Sequence, residues 1–130
     1  MLNCIFEAAT ALTILAPVDA ANTAAATSAY VDVTDFEGQL AVILHTGILD
    51  DGDITYTFLT ASAGDGTGEA AVVPITGAPT VVTTSNDPLI QAAVFDCTQL
   101  KGFLKVVGTK TEAAGVLVGY SAIGLKKYAS

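Results

Sequence analysis

Residues 30–59 read YVDVTDFEGQLAVILHTGILDDGDITYTFL. Leu40, Ala41, Val42, Ile43 and Leu44 form an unbroken apolar run, the pattern of a strand covered on both faces. After them the chain alternates: Ile54, Tyr56 and Phe58 face one way, Thr55 and Thr57 the other, which is the period of a strand with one wetter face. Between the two runs lies Gly47-Ile48-Leu49-Asp50-Asp51-Gly52-Asp53, built from residues that turns use. The stretch predicts a β-hairpin. A short strand over 30–34 precedes it, and Asp35-Phe36-Glu37-Gly38 makes the turn between.

The same alphabet continues on the C-terminal side. A weak strand is expected over 69–75, closed by Pro74, and a β-branched one over 80–84. Ser85-Asn86-Asp87-Pro88 breaks the chain, and a strand follows over 89–95. Asp96 reads as the side-chain cap of a turn over 96–101. Residues 103–108 and 116–123 are expected to pair as a closing hairpin, with Lys105 marking the first as an edge strand. On the N-terminal side, Ile5, Ala8, Ala9, Leu12 and Leu15 have helical spacing ahead of Pro17, and 19–28 is small-sided. Residues 1–28 therefore read as an arm, extended or with one short helix, and 29–130 as a single β domain. The fold class is all-β: a compact antiparallel β-sandwich or barrel of about eight short strands. No helix long enough for a βαβ crossover separates the strands, and no fixed-period repeat appears.

Composition narrows the function. Of the 130 residues, 52% are hydrophobic and only 14% charged, a greasier balance than an average soluble chain has. No apolar stretch is long enough for a transmembrane helix, so no membrane role is expected, and the surplus points to burial in an oligomer or against a host surface. Residues 1–100 carry twelve Asp or Glu and no Lys, residues 101–130 carry five Lys and one Glu, and there is no Arg. An acidic chain without Arg is a poor binder of phosphates, so nucleic acid is not an expected partner. Cys4 and Cys97 have no metal-ligand spacing and form no disulfide framework; buried thiols are the expected reading. Glu7 stands where a secretory leader would carry Lys or Arg, so the protein is expected inside a cell or on a particle assembled there.

Little catalytic chemistry is legible. His45, the single histidine, has no nucleophile motif to serve, and reads as a strand residue at a polar rim. Asp50, Asp51 and Asp53 are the first candidates for a Ca²⁺ site, but they lack the ligand ladder of a cation loop, and a solvated acidic turn is the ordinary meaning. Gly64-Asp65-Gly66-Thr67-Gly68 has no Lys and opens no helix, so it is not a phosphate loop. With no Trp, a stacking surface for sugars has few residues to draw on. No cofactor is expected, and no enzyme.

The sequence Tyr30-Val31-Asp32-Val33-Thr34-Asp35-Phe36-Glu37-Gly38, then residues 40–44, then Gly47 and Asp51-Gly52-Asp53-Ile54-Thr55, resembles small structural proteins of tailed bacteriophages. The Gly-rich loop 62–68 and the run from Asp96 through Leu100 to Phe103-Leu104-Lys105-Val106-Val107 extend the likeness to about 29–123, with Lys105 where such proteins often have Arg. The resemblance implies a virion structural protein of the capsid decoration, or cement, type. Such a protein clamps neighbouring major capsid subunits on the head exterior, commonly as a trimer, after assembly in the host cytoplasm. A tail or head–tail connector subunit and a carbohydrate- or host-surface-binding module are the alternatives. The surfaces expected to touch neighbours are the arm, with Ile5, Phe6, Leu12 and Leu15, and the acidic loops, with Asp50, Asp51, Asp53 and Asp65.

Overall fold

The structure is a computed structural model that describes residues 9–112 and 115–126. Among these residues eight strands run: β1 (Ala9–Ala20), β2 (Val31–Asp32), β3 (Phe36–Thr46), β4 (Ile54–Ala61), β5 (Ala70–Val72), β6 (Leu89–Asp96), β7 (Phe103–Lys110) and β8 (Val116–Lys126). They form two antiparallel four-stranded sheets, ordered β1-β8-β3-β6 and β2-β7-β4-β5. The first strand pairs with the last, the second with the second-last, and so on inward to β4 and β5. Further pairings, β3 with β8 and β4 with β7, complete the sheets. This is one long hairpin wound into a sandwich, the jelly-roll topology.

That winding corrects both hairpins expected from the sequence. β3 and β4 lie in different sheets, and so do β7 and β8. The seven-residue link 47–53 is an arch between sheets, longer than most tight hairpin loops. The reason is burial. Leu40, Val42 and Leu44 on β3 and Ile54, Tyr56 and Phe58 on β4 all face inward. Two such rows cover each other best across a sandwich, about 10 Å apart, rather than side by side in one sheet. Ala93 and Phe95 of β6, Leu104 and Val106 of β7, and Val116, Val118, Tyr120 and Ala122 of β8 complete the core. The Phe58 and Phe95 rings meet edge to face at 4.8 Å between centroids.

Other expectations change as well. Within the expected arm, Ala9–Ala20 form a strand of the main sheet, extended and not the short helix. Ile14 and Ala20 are buried, and β8 supplies a partner along most of the length, which overrides weak helical spacing in a run that also holds the β-branched Thr10, Thr13, Ile14 and Val18. Leu12 and Leu15 pack against the chain's own core. Ile5 and Phe6 lie outside the described residues. Residues 80–84 make only an isolated bridge, Val82 with Ile54, so the count of eight strands agrees because this loss and the gain of β1 cancel. Lys105 is not on a bare edge. Its neighbour strand β2 pairs at Leu104 and Phe103, and its ammonium lies 5.3 Å from the centre of the Tyr30 ring.

The small residues of 20–28 have a structural use: this segment passes close over β7 and β8. Tyr120 donates a hydrogen bond to the Ala26 carbonyl at 2.6 Å, and Ser28 Oγ accepts one from the Val106 N–H at 3.0 Å. No buried side-chain nitrogen or oxygen among the described residues is left without a hydrogen-bond partner.

Candidate interaction surface

The acidic side chains singled out from the sequence end up at opposite ends of the sandwich. The arch 47–53 sits beside residues 87 and 111: the Leu49 N–H donates to the Asp87 carboxylate and the Asp53 N–H to Thr111 Oγ1 at 2.8 Å. Asp50 and Asp51 are exposed there. Among the described residues no group of three or more His, Cys, Asp or Glu side chains is placed to hold a metal ion, so Asp50, Asp51 and Asp53 do not converge as cation ligands. Asp65 is at the other end. Its carboxylate accepts from Thr67 N–H at 2.9 Å and Thr67 Oγ1 at 2.6 Å.

That end carries a pattern the sequence reading passed over. Asp32-Val33-Thr34 and Asp96-Cys97-Thr98 make the same pair of bonds, Asp to Thr two residues on. Three Asp-x-Thr turns therefore close the β2–β3, β4–β5 and β6–β7 links. The signal was available as a repeated tripeptide. Asp96 also caps the 3-10 turn Cys97–Gln99 in a full capping box with Gln99, as its position predicts. Hydrogen bonding to the threonines holds Asp32, Asp65 and Asp96 below the ordinary carboxylate value. Nearby, the Tyr30 hydroxyl donates to Glu69, and partial withdrawal from water, reinforced by that carboxylate, pushes the phenol up to about 12.

The surface that stands out is the outer face of the β1-β8-β3-β6 sheet. Inward positions on β8 alternate with Leu117, Gly119, Ser121, Ile123 and Leu125. Cross-strand register places Ala41, Ile43 and His45 of β3 beside Ile123, Ser121 and Gly119, and Val94, Ala92 and Ile90 of β6 beside those. Ala11 and Thr13 of β1 flank Ile123 and Ser121 on the other side. Leu117 and Ile90 are each 63% exposed, Ile123 45% and Leu125 42%. His45 is exposed on this face, between Ile90 and Gly119. Charged groups appear only at the ends of the face: Asp19 beside Leu117, and Glu37 and Asp96 at the far end. At Gly119 the missing side chain leaves a hollow of about 240 Å³ walled by Pro17, His45 and Leu117. The sequence does not mark this face: 116–123 reads as one strand of a closing hairpin, and Leu125 falls in a basic tail.

The opposite sheet differs. Its outward row on β4 is Thr55, Thr57 and Leu59, and on β7 Lys105, Val107 and Thr109. Among the described residues no aromatic ring is exposed: Phe36, Tyr56, Phe58, Phe95 and Tyr120 are buried, and Tyr30 and Phe103 are half-buried. No helix among the described residues is long and apolar enough to cross a membrane.

No family model matches the chain, and no curated protein matches it either. Solved structures similar to it include the CBM22-1–GH10 modules of the N-terminal endo-1,4-β-D-xylanase 10B of Clostridium thermocellum, complexed with xylohexaose. The identity there is 10% over 96% of this chain and 27% of that one, with a TM-score of 0.49. The VP2 subviral particle of infectious bursal disease virus gives 13% identity over 91% of this chain and 32% of that one, with a TM-score of 0.40. A viral particle of the same virus gives 15%, 93% and 31%, with a TM-score of 0.38. The chain thus spans about a third or less of each of these proteins. Likeness at this level says nothing about what this chain does.

Proposed function

We propose that this chain is a structural subunit of an assembled particle, a capsid decoration protein of the tailed-bacteriophage type, which clamps major capsid subunits on the head exterior. The observation that carries the reading is the outer face of the β1-β8-β3-β6 sheet. It presents Ile90, Leu117, Ile123 and Leu125 to solvent, with charge confined to its ends. Exposed apolar surface of this continuity belongs to a contact with another protein. The residue pattern over 29–123 supplies the particle and the partner; the jelly roll is compatible with it, as one of several uses of that fold. The function is mechanical: many copies, each bound weakly, hold a shell together by multivalency.

Co-expression with the genes that flank its own tests this. The protein should sediment with expanded heads and appear as added density on their outer surface by cryo-electron microscopy. Rings or tubes formed by the protein alone would assign it to a tail or connector instead. A chain that stays wholly in the unassembled fraction refutes the proposal.

A further inference from the structure

The apolar outer face has a symmetry of its own. Along β8 it runs Leu117, Gly119, Ser121, Ile123, Leu125: a large aliphatic group at each end, a hollow on one side of the middle and a branched side chain on the other. The row through the middle is Thr13, Ser121, Ile43 and Ala92, mostly small. We infer that the partner of this face is a second copy of the chain, stacked face to face about a two-fold axis that lies along this middle row, across the strands.

Such an axis exchanges positions above and below the row. Ile123 of one copy enters the Gly119 hollow of the other, whose volume of about 240 Å³ accommodates a branched aliphatic side chain. Leu117 meets Leu125, and Ile90 meets Val94. Thr13, Ser121, Ile43 and Ala92 each meet their own counterpart, and their modest bulk at Ser121 and Ala92 lets the sheets approach to ordinary stacking distance, about 10 Å. Charge stays at the rim: the axis turns Asp19 of each copy toward the Glu37 end of the other, clear of the apolar centre. Area is adequate too. Four strands wide and eight residues long, the face has a flat footprint of roughly 500 Å². Side-chain relief raises its accessible area toward the ~800 Å² per partner of a standard interface. Because each copy carries a net charge of −8, association should strengthen as salt is raised.

The inference rests on the reading of this face as an interface, but not on the particle. Sedimentation of the purified full chain, with and without Ile123→Asp, is the first measurement. A dimer is expected, tighter at 0.5 M than at 0.05 M NaCl, and weakened at least about tenfold by the buried carboxylates of Ile123→Asp. The second uses Cys4→Ser/Cys97→Ser as background and a short bismaleimide, since a disulfide does not span ~10 Å. Ser121→Cys should crosslink to itself, and Leu117→Cys only to Leu125→Cys; Thr57→Cys on the other sheet should not react in pairs. A monomer at ~100 μM, a trimer, or crosslinking at Thr57→Cys equal to that at Ser121→Cys overturns the inference. A monomer that still decorates heads refutes the pairing alone; a dimer that ignores heads refutes the capsid role alone.

Discussion

Tyr120 sits where three parts of the chain meet. Its hydroxyl bonds the Ala26 carbonyl, its ring stands edge-on to Tyr56 at 5.5 Å, and a Cβ added at Gly108 would fall 2.8 Å from that hydroxyl and 2.8 Å from the Ala26 oxygen. Burial, with Tyr56 alongside, drives its phenol well above the ordinary range, so it stays a donor at every working pH. Tyr120→Phe leaves the Ala26 carbonyl without this donor and should cost about 1–3 kcal/mol in urea unfolding. The three Asp-x-Thr turns set the acid limit. Asp32, Asp65 and Asp96 have folded values below their ordinary 3.8, so their stabilisation is complete above that pH and is lost as pH falls through the folded values. The urea midpoint should be flat from about pH 5 to neutral and fall below about pH 4, and Asp96→Asn, still able to cap, should make that fall shallower. Tyr30 gives the opposite sign at high pH. With its folded value near 12 against 10 unfolded, stability should decline between those limits, and Tyr30→Phe should flatten the decline.

At the scale of elements, the edges of the apolar sheet are managed differently. β1 carries Pro17 and two register shifts, which spoil its outer half as a template for another strand. β6 is covered by residues 75–80: Ile75 N–H donates to the Val94 carbonyl at 2.8 Å and Val94 N–H to the Thr76 carbonyl at 2.9 Å. Gln91 holds the end of this strap through Thr80 N–H at 2.6 Å and the Thr80 carbonyl at 3.1 Å. Gly77 makes the strap possible. Its φ is +75°, and a Cβ there would lie 2.2 Å from the Ala92 carbonyl oxygen. Gly77→Ala should therefore lift the strap, raising hydrogen exchange at the Val94 N–H by about tenfold or more while the β3–β8 amides keep their protection.

For the whole molecule, the winding has a kinetic consequence. β1 must find β8 across nearly the full chain, and β2 must find β7 across more than half of it. Loop closure of that span comes before any reward from contact, so refolding by stopped flow should fall in the millisecond-to-second range of other non-local β folds, not in microseconds. The same winding splits surface from core along β8: Val118, Tyr120 and Ala122 are buried while Leu117 and Ile123 are left outside. Substituting Ile123 by Asp should therefore alter association and leave the thermal midpoint nearly unchanged, which differential scanning calorimetry of the dilute protein checks.

Local chemistry was legible in advance: the strand over 89–95, the inward row Ile54, Tyr56, Phe58, the Asp96 cap, and the absence of long helices among the described residues all follow from side-chain period and turn residues. Partnership was not. Alternation states which face of a strand is buried but not which strand lies beside it, and so a seven-residue link read as a hairpin when it is an arch. The segment 9–20 became a strand and 80–84 did not, because β8 had a vacant side to fill and Val82 needed only one bridge to Ile54. The apolar face arose the same way. Its residues belong to strands that look doubly buried in sequence, yet the second sheet can cover only one side of them, and the burial of the other side is left to whatever meets it outside the fold.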